Sequence, residues 1–468
     1  MNLEEKNVLV LGAGGISGKG MVSLLRNFTK KIYVFDDNKS ICFDEDLENV
    51  SNYPITTKKE ILDLINKFPF EYCFLSPGFP RKSLIVKTLE EVGIPVIGEL
   101  DLGYYVIFNK IQKKPFIVAI TGTDGKSTTT KLIAELLRSQ DKIAIECGNY
   151  GTPLCEIANQ MMKNIFFEIL VVECSSFQLE KLYFFQSDIA IFLNLAEDHM
   201  DRYESLQEYL LAKLNLIGLG NPNQHLIISS QVVELIKKFR FENRIENKKF
   251  HIIDTSQIHK DHYFFMNSRF LWKDFKIDNL NNRINLLFAL KALEIFFNHQ
   301  VVVEKIQETL RNFSGLPYRQ QVIKKINNLI FVNDSKATTV QAVLSAIKNY
   351  ENQIVMLLIG GQDKNLNFKE ILSLQIYKEK RLLIFPFGSA RDKIQNQLKT
   401  KKTYPNLEIA FNDALKKAKF FKNKEVVILL SPGCASFDQY KNYKERGEHF
   451  NLLVERVSHE QFFKNPIF

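Results

Sequence analysis

Residues 118–130 read V-A-I-T-G-T-D-G-K-S-T-T-T. A short apolar run enters a glycine turn, then Gly125-Lys126-Ser127, then three threonines. Backbone N–H groups of such a turn, a helix N-terminus and one lysine together form a cradle for nucleotide phosphates. Ordinary NTPases space this loop as G-x-x-x-x-G-K-[ST]. Here only Thr123 and Asp124 separate Gly122 from Gly125, so the loop is shortened. Lys126 is placed to neutralise β/γ-phosphate oxygens, and the Ser127 or Thr128 hydroxyl to ligate Mg²⁺.

The same strand-then-polar-loop pattern recurs on both sides. Apolar runs lie within 7–18, 31–37 and 72–78, then 116–122, 169–176 and 189–195, then 329–336, 354–361, 381–388 and 425–433. Each ends in Asp, Ser, Asn, Thr or Gly and is followed by a helix-like stretch. Wholly apolar strands alternating with helices indicate an α/β protein with parallel sheets buried on both faces. Ligands of such sheets bind beyond the carboxyl ends of the strands. With 468 residues, length suggests about three domains. Breaks are expected near 106 and at the Ser314-Gly315-Leu316-Pro317 punctuation, giving blocks 1–106, 107–313 and 314–468.

In the first block Gly12-Ala13-Gly14-Gly15-Ile16-Ser17-Gly18 follows a strand and opens a helix, and Asp36 and Asp37 end the next strand. That suits a diphosphate on backbone N–H groups with an acid near a ribose. The spacing G-x-G-x-x-x-G is one residue off the dinucleotide fingerprint. It favours a nucleotide diphosphate such as a UDP-sugar over NAD. In the second block Glu173 ends a strand, and Glu197, Asp198, His199, Asp201 and Arg202 cluster after the next. A nucleotide Mg²⁺ takes only one or two carboxylates, so a strand-end Glu suits it.

Composition narrows the field. Net charge is +9, but the lysines are dispersed and no arginine-rich block points to nucleic acid. Six cysteines without any C-x-x-C read as reduced thiols. No signal peptide is apparent, and no apolar run reaches the roughly 18 residues that span a bilayer. A cytoplasmic location without membrane insertion is expected.

Taken together, T-G-T-D-G-K-S-T-T-T, C-G-N-Y-G, V-E-C-S-S-F-Q-L-E, E-D-H-M-D-R-Y, G-L-P-Y-R, N-D-S-K-A-T-T and S-P-G-C-A-S-F-D-Q-Y resemble the Mur ligases. These are ATP-dependent amide-forming enzymes of peptidoglycan precursor synthesis, and the motifs look most like the D-glutamate-adding branch. The resemblance implies three domains: an N-terminal Rossmann-like UDP-substrate domain, a central P-loop-type mononucleotide-binding ATP domain, and a C-terminal Rossmann-like amino-acid domain that closes over the site. It implies ATP with two Mg²⁺ ions as cofactors, UDP-N-acetylmuramoyl-L-alanine and D-glutamate as substrates, and a monomer.

The resemblance also implies roles at matching positions. Gly122, Thr123, Asp124, Gly125, Lys126, Ser127 and Thr128 would hold ATP, with Asn282, Asn285, Arg319 and Asp334 contributing. Ser127, Glu173, His199 and a carbamylated Lys213 would ligate metal. Lys336 and Lys364 join Lys126, His199 and Lys213 as catalytic residues. Gly15, Ser17, Gly18, Asp36, Asp37, Ser76, Asn149, Ser175, Thr338, Ser436 and Tyr443 would line the substrates. The chain departs from the family pattern at Asn281, where the family's H-N-x-x-N has His, and at Tyr318, where His often precedes the Arg. The first glycine loop carries an extra residue. The D-N-P-R element of diamino-acid ligases is absent; that stretch reads G-G-Q-D-K. The remaining alternatives are another ligase of the family, a folylpolyglutamate-type ligase, an NTP-driven switch protein, and a dinucleotide oxidoreductase that would leave Lys126 unexplained.

Overall fold

Three sheets place their strand ends where the sequence pattern puts its polar residues. The computed structural model describes residues 1–457 apart from 40, 201, 219–220, 247, 255–257, 260, 267, 299 and 364–365. The first sheet contains β1 (Asn7–Leu11), β2 (Lys31–Phe35), β3 (Glu48–Asn49), β4 (Tyr72–Leu75) and β5 (Val96–Gly98). All pair in parallel in the order β3-β2-β1-β4-β5. The order reverses between β1 and β4, so a crevice opens beyond their carboxyl ends.

The central sheet contains β6 (Phe116–Thr121), β7 (Ala144–Gly148), β8 (Ile169–Glu173), β9 (Ile189–Phe192), β10 (His225–Ser229) and β11 (Lys249–Ile253). Its order is β11-β10-β9-β6-β8-β7, again all parallel. The phosphate-type loop leaves β6, which lies between β8 and β9 at the topological switch. Every residue of β8 is buried, as parallel strands covered on both faces require. A small antiparallel hairpin, β12 (His262–Phe265) and β13 (Ser268–Leu271), stands apart from this sheet.

The chain divides into two compact units, Met1–Phe313 and Ser314–Phe468. Inside the first unit the two parallel sheets share one core. Val8, Val10, Leu102 and Val106 pack in the same cluster as Ile117, Leu154 and Leu170. The break expected near residue 106 therefore falls inside helix Glu99–Lys110 rather than in a linker. Asp101 of that helix accepts the backbone N–H groups of Tyr183, Phe184 and Phe185.

The second unit contains β14 (Gln321–Ile326), β15 (Leu329–Asn333), β16 (Ile354–Gly360), β17 (Leu382–Phe387) and β18 (Val426–Gly433), ordered β14-β15-β18-β16-β17. Four strands are parallel, and β14 pairs antiparallel at the edge. Its sequence Q-V-I-K-K-I is mostly not buried, which suits an edge and not a covered parallel strand. Among the described residues no helix is long and apolar enough to cross a membrane.

Candidate functional site

The shortened loop turns between Gly122 (φ +151°) and Gly125 (φ +81°), and helix Lys126–Ser139 starts immediately after it. A Cβ on Gly125 would lie 2.2 Å from Asn285 Oδ1, so only glycine fits both the backbone and that neighbour. Asn285 is thus brought against the loop from helix Leu280–Phe297. Asn282 lies on the same helix and donates to Ile277 O at 2.8 Å. The Lys126 ammonium folds back onto Gly122 O (2.9 Å) and Thr123 O (2.6 Å), which holds its charge inside the turn. Thr128 is buried in the first helical turn.

Asn194, just beyond β9, closes the loop. Its Oδ1 accepts from Thr123 N (3.1 Å) and Asp124 N (2.9 Å), and its Nδ2 donates to Asp124 O (3.1 Å). A side chain from the neighbouring strand end therefore braces the backbone of the shortened loop. Sequence reasoning did not single out Asn194. Its position at a strand end beside the charged cluster was the available signal.

Glu173 is 2% exposed at the end of β8. The Ser127 hydroxyl donates to its Oε2 (2.5 Å) and the Asn149 amide to its Oε1 (2.6 Å). Ser175 caps the short helix Ser176–Leu179 and forms a reciprocal pair with Gln178. The Lys213 ammonium, 1% exposed, donates to Gly122 O at 2.8 Å and lies 4.5 Å from the Tyr209 ring centre. Burial, and then the charge of Lys126, hold the Lys213 amine well below the ordinary lysine range; Asp198, Glu173 and Asp124 oppose the shift. Ser127, Glu173, Lys213, Asn149 and Lys126 thus surround one loop of the central sheet.

His199 sits in a left-handed backbone conformation (φ +58°), with its ring 4.7 Å from that of Phe177 and its Nε2 3.4 Å from Asp198 Oδ2. Arg202 lies over the Phe177 ring, pairs its Nε and Nη2 with Glu180, and donates from Nη1 to Pro77 O (3.3 Å). Asp201 lies outside the described residues. Among the described residues no group of three or more His, Cys, Asp and Glu side chains gathers to hold a metal. His199 and Glu173 therefore do not form a ready-made protein cage. Ser127 Oγ and Glu173 are hard oxygen donors beside a phosphate-type loop, which fits Mg²⁺ completed by phosphate and water oxygens.

At the first sheet's switch point, Gly12 (φ +73°) leaves β1 so close to β4 that its Cβ would meet Ser76 Cβ at 2.9 Å. A Cβ on Gly18 would lie 2.2 Å from Gly12 O. Gly15 precedes helix Ile16–Leu25, which carries Ser17. Asp36 accepts from Gly14 N (2.9 Å) and Asn38 N (3.0 Å), so its carboxylate holds the glycine loop itself. Asp37 is exposed.

In the second unit Asp334 follows β15, buried, and accepts from Ser431 Oγ (2.8 Å) and Gln320 N (3.1 Å). Arg319 lies in the turn before Gln320, and its backbone N–H donates to Leu316 O at 3.3 Å. Lys336 Nζ lies 4.2 Å from the Tyr443 ring centre. Thr338 precedes the Thr339 cap of helix Val340–Lys348, and Ser436 is buried beyond β18. Lys364 lies outside the described residues. The structure adds Arg446, fully buried among these loops, which sequence reasoning also missed.

Residues 120–291 match the family model of the Mur ligase middle domain. Across 97% of this chain, the protein named UDP-N-acetylmuramoylalanine–D-glutamate ligase of Natranaerobius thermophilus is 31% identical, with 98% of its own length covered. The protein of the same name from Caldanaerobacter subterraneus subsp. tengcongensis is also 31% identical, over 97% of this chain and 99% of its own. Among solved structures, MurF ligase from Thermotoga maritima in complex with ADP aligns over 97% of this chain and 96% of its own, with a TM-score of 0.55 at 15% identity, a likeness of fold. Matched through its middle and aligned along nearly its whole length, this chain belongs to the Mur ligase family, in the group of the UDP-N-acetylmuramoylalanine–D-glutamate ligases.

Proposed function

We propose that this protein joins D-glutamate to UDP-N-acetylmuramoyl-L-alanine at the expense of ATP, in peptidoglycan precursor synthesis. The observation that carries the reading is the convergence of Lys126, the Ser127–Glu173 pair and buried Lys213 on the shortened loop, in a chain aligned end to end with ligases of that name.

A carboxylate does not condense with an amine at neutral pH because its oxygen is a poor leaving group. In the proposed reaction the alanyl carboxylate oxygen attacks the γ-phosphorus of ATP, the bond to the bridging oxygen breaks, and ADP leaves. The neutral D-glutamate amine then attacks the acyl-phosphate carbon. The resulting tetrahedral intermediate expels inorganic phosphate, the amine loses a proton, and the amide remains. Such chemistry is chiefly positioning and charge neutralisation.

Lys126, the loop amides of Gly122–Gly125 and the N-terminus of helix Lys126–Ser139 hold the phosphates. Ser127, Glu173 and, as a further ligand, His199 would hold Mg²⁺, which would supply charge neutralisation at the phosphate oxygens. The Lys213 amine adds to CO₂, forming an N–C bond and releasing a proton. The carbamate would place a negative charge where the amine stood, which would help hold a second Mg²⁺. Gly15, Ser17, Gly18 and Ser76 face the UDP group, with Asp36 fixing the loop that holds it. Asn149 and Ser175 lie along the substrate path. Asn282, Asn285, Arg319 and Asp334 serve the nucleotide. Lys336, Thr338, Lys364, Ser436 and Tyr443 serve the amino acid. The protein acts as a monomer in the cytoplasm, where ATP and a UDP-linked substrate occur together.

The test is ADP release from ATP by the purified protein with UDP-N-acetylmuramoyl-L-alanine and a panel of amino acids. The reading expects release that requires D-glutamate and yields one amide per ADP. Hydrolysis indifferent to the amino acid, or a preference for L-alanine or a diamino acid, overturns it.

A further inference from the structure

Arg446 is 0% exposed, in the first turn of helix Tyr443–Glu455. Its Nε donates to Ser335 Oγ (3.0 Å) and its Nη2 to Ser335 O (2.8 Å). Its Nη1 donates to Cys434 O (3.1 Å) and Ala435 O (3.2 Å). Each of these acceptors is a neutral oxygen. The nearby carboxylate of Asp438 accepts instead from Ser389 N at 3.0 Å. Burial lowers the guanidinium to about 10, so it stays charged at neutral pH.

Among the described residues these hydrogen bonds go to neutral oxygens, with the Asp438 carboxylate acting on the guanidinium through space, and a desolvated cation so held is costly unless further opposite charge compensates it. Its hydrogen bonds also converge from separate loops. Ser335 lies between Asp334 and Lys336 beyond β15, and Cys434-Ala435 precedes Ser436 beyond β18. Gln362, beyond β16, donates its N–H to the same Ala435 O at 2.8 Å. A Cβ on Gly361 would lie 3.0 Å from Arg446 Nη1. Ser335 Oγ in turn donates to Tyr443 O at 2.8 Å. One guanidinium thus gathers the strand-end loops at this sheet's switch point, where ligands of open α/β sheets bind.

We propose that Arg446 is a positioning residue for the anionic amino-acid substrate. It pins the Asp334–Lys336 and Cys434–Ser436 loops in one arrangement and lays a buried positive charge beneath them that favours a dicarboxylate. This rests on the ligase function proposed above. Lysine keeps the charge but loses the planar fork, whereas glutamine loses both.

The test is the initial rate of Arg446→Lys and Arg446→Gln against D-glutamate and against ATP, with thermal unfolding of each variant. The KM for D-glutamate is expected to rise about threefold in the lysine variant and about tenfold in the glutamine variant, with the KM for ATP within about twofold of the parent. A role confined to holding the fold lowers the melting temperature and the active fraction and leaves KM unchanged. An unchanged KM for D-glutamate in the lysine variant overturns the proposal, whether or not the glutamine variant folds. Equal rises in both variants overturn the part played by charge. Absence of D-glutamate-dependent turnover in the parent protein rejects the ligase reading itself and is separately visible.

Discussion

The Ser127 hydroxyl donates to Glu173 Oε2 across 2.5 Å, joining the first turn after the phosphate-type loop to the end of the neighbouring strand. With Asn149 on the other oxygen, the carboxylate is fixed before any cation arrives. Glu173→Gln keeps the shape but removes the negative charge. Turnover should fall by about 10²–10³-fold. The Mg²⁺ concentration for half-maximal rate should rise, with thermal stability little changed. A titration of rate against Mg²⁺ checks this, and an unaltered Mg²⁺ requirement contradicts it.

Asn194 braces the loop through Thr123 N, Asp124 N and Asp124 O. Asn194→Ala should leave β9 intact and release the loop, since its bonds here are local to the turn. A reacting phosphate displaced by even a small distance costs about 10²-fold in rate. Steady-state kinetics should therefore show that loss in kcat/KM for ATP. Asn194→Asp should not restore it, because a carboxylate cannot donate to Asp124 O and adds a negative charge at the phosphates.

Burial, and then Lys126, disfavour the charged form of Lys213 in the folded state. Such a base binds fewer protons folded than unfolded. Stability therefore rises with pH from its folded pKa up to the ordinary lysine value near 10.5. Lys213→Met should raise the melting temperature of the CO₂-depleted protein at neutral pH by about 2–5 °C, with the gain fading as pH approaches that upper value. The same variant should lose activity. In the parent, CO₂ depletion should lower the rate and bicarbonate restore it, with ¹³C-bicarbonate giving a carbamate signal.

The ten apolar runs were legible because buried parallel strands are nearly continuous apolar segments. Lys126 and Ser127 were legible for a related reason: a phosphate turn is local in sequence. The bracing by Asn194 was not, because it joins atoms 71 residues apart and depends on which strand lies beside β6. Arg446 reaches Ser335 across 111 residues. Strand β11 (K-F-H-I-I) is mostly not buried at a sheet edge, and β3 has only two residues, so neither shows a strong apolar run. The break near residue 106 was placed between the first α/β unit and the loop before the phosphate motif, and packing across helix Glu99–Lys110 leaves no local mark in the sequence. In the fold, Gly103 allows close approach of helix Leu154–Met162, where a Cβ would meet Leu154 at 2.9 Å.

Asp101 tests whether the first two sheets are one cooperative body. Its carboxylate accepts Phe184 N (2.7 Å), Phe185 N (2.8 Å) and Tyr183 N (2.9 Å) while being 0% exposed. Asp101→Ala would leave these backbone donors without their acceptor, Phe185 N in a buried bond and Tyr183 N and Phe184 N in half-buried ones. Each orphaned buried donor costs about 1–3 kcal/mol. With one of the three donors fully buried, urea unfolding should show a loss of about 1–3 kcal/mol. A single transition followed alike by far-UV dichroism and by Trp272 fluorescence would show that both sheets unfold together, since that tryptophan packs in the central part of the unit. A loss below about 1 kcal/mol would mean that water or a shifted loop replaces the carboxylate, and that the shared core alone joins the sheets.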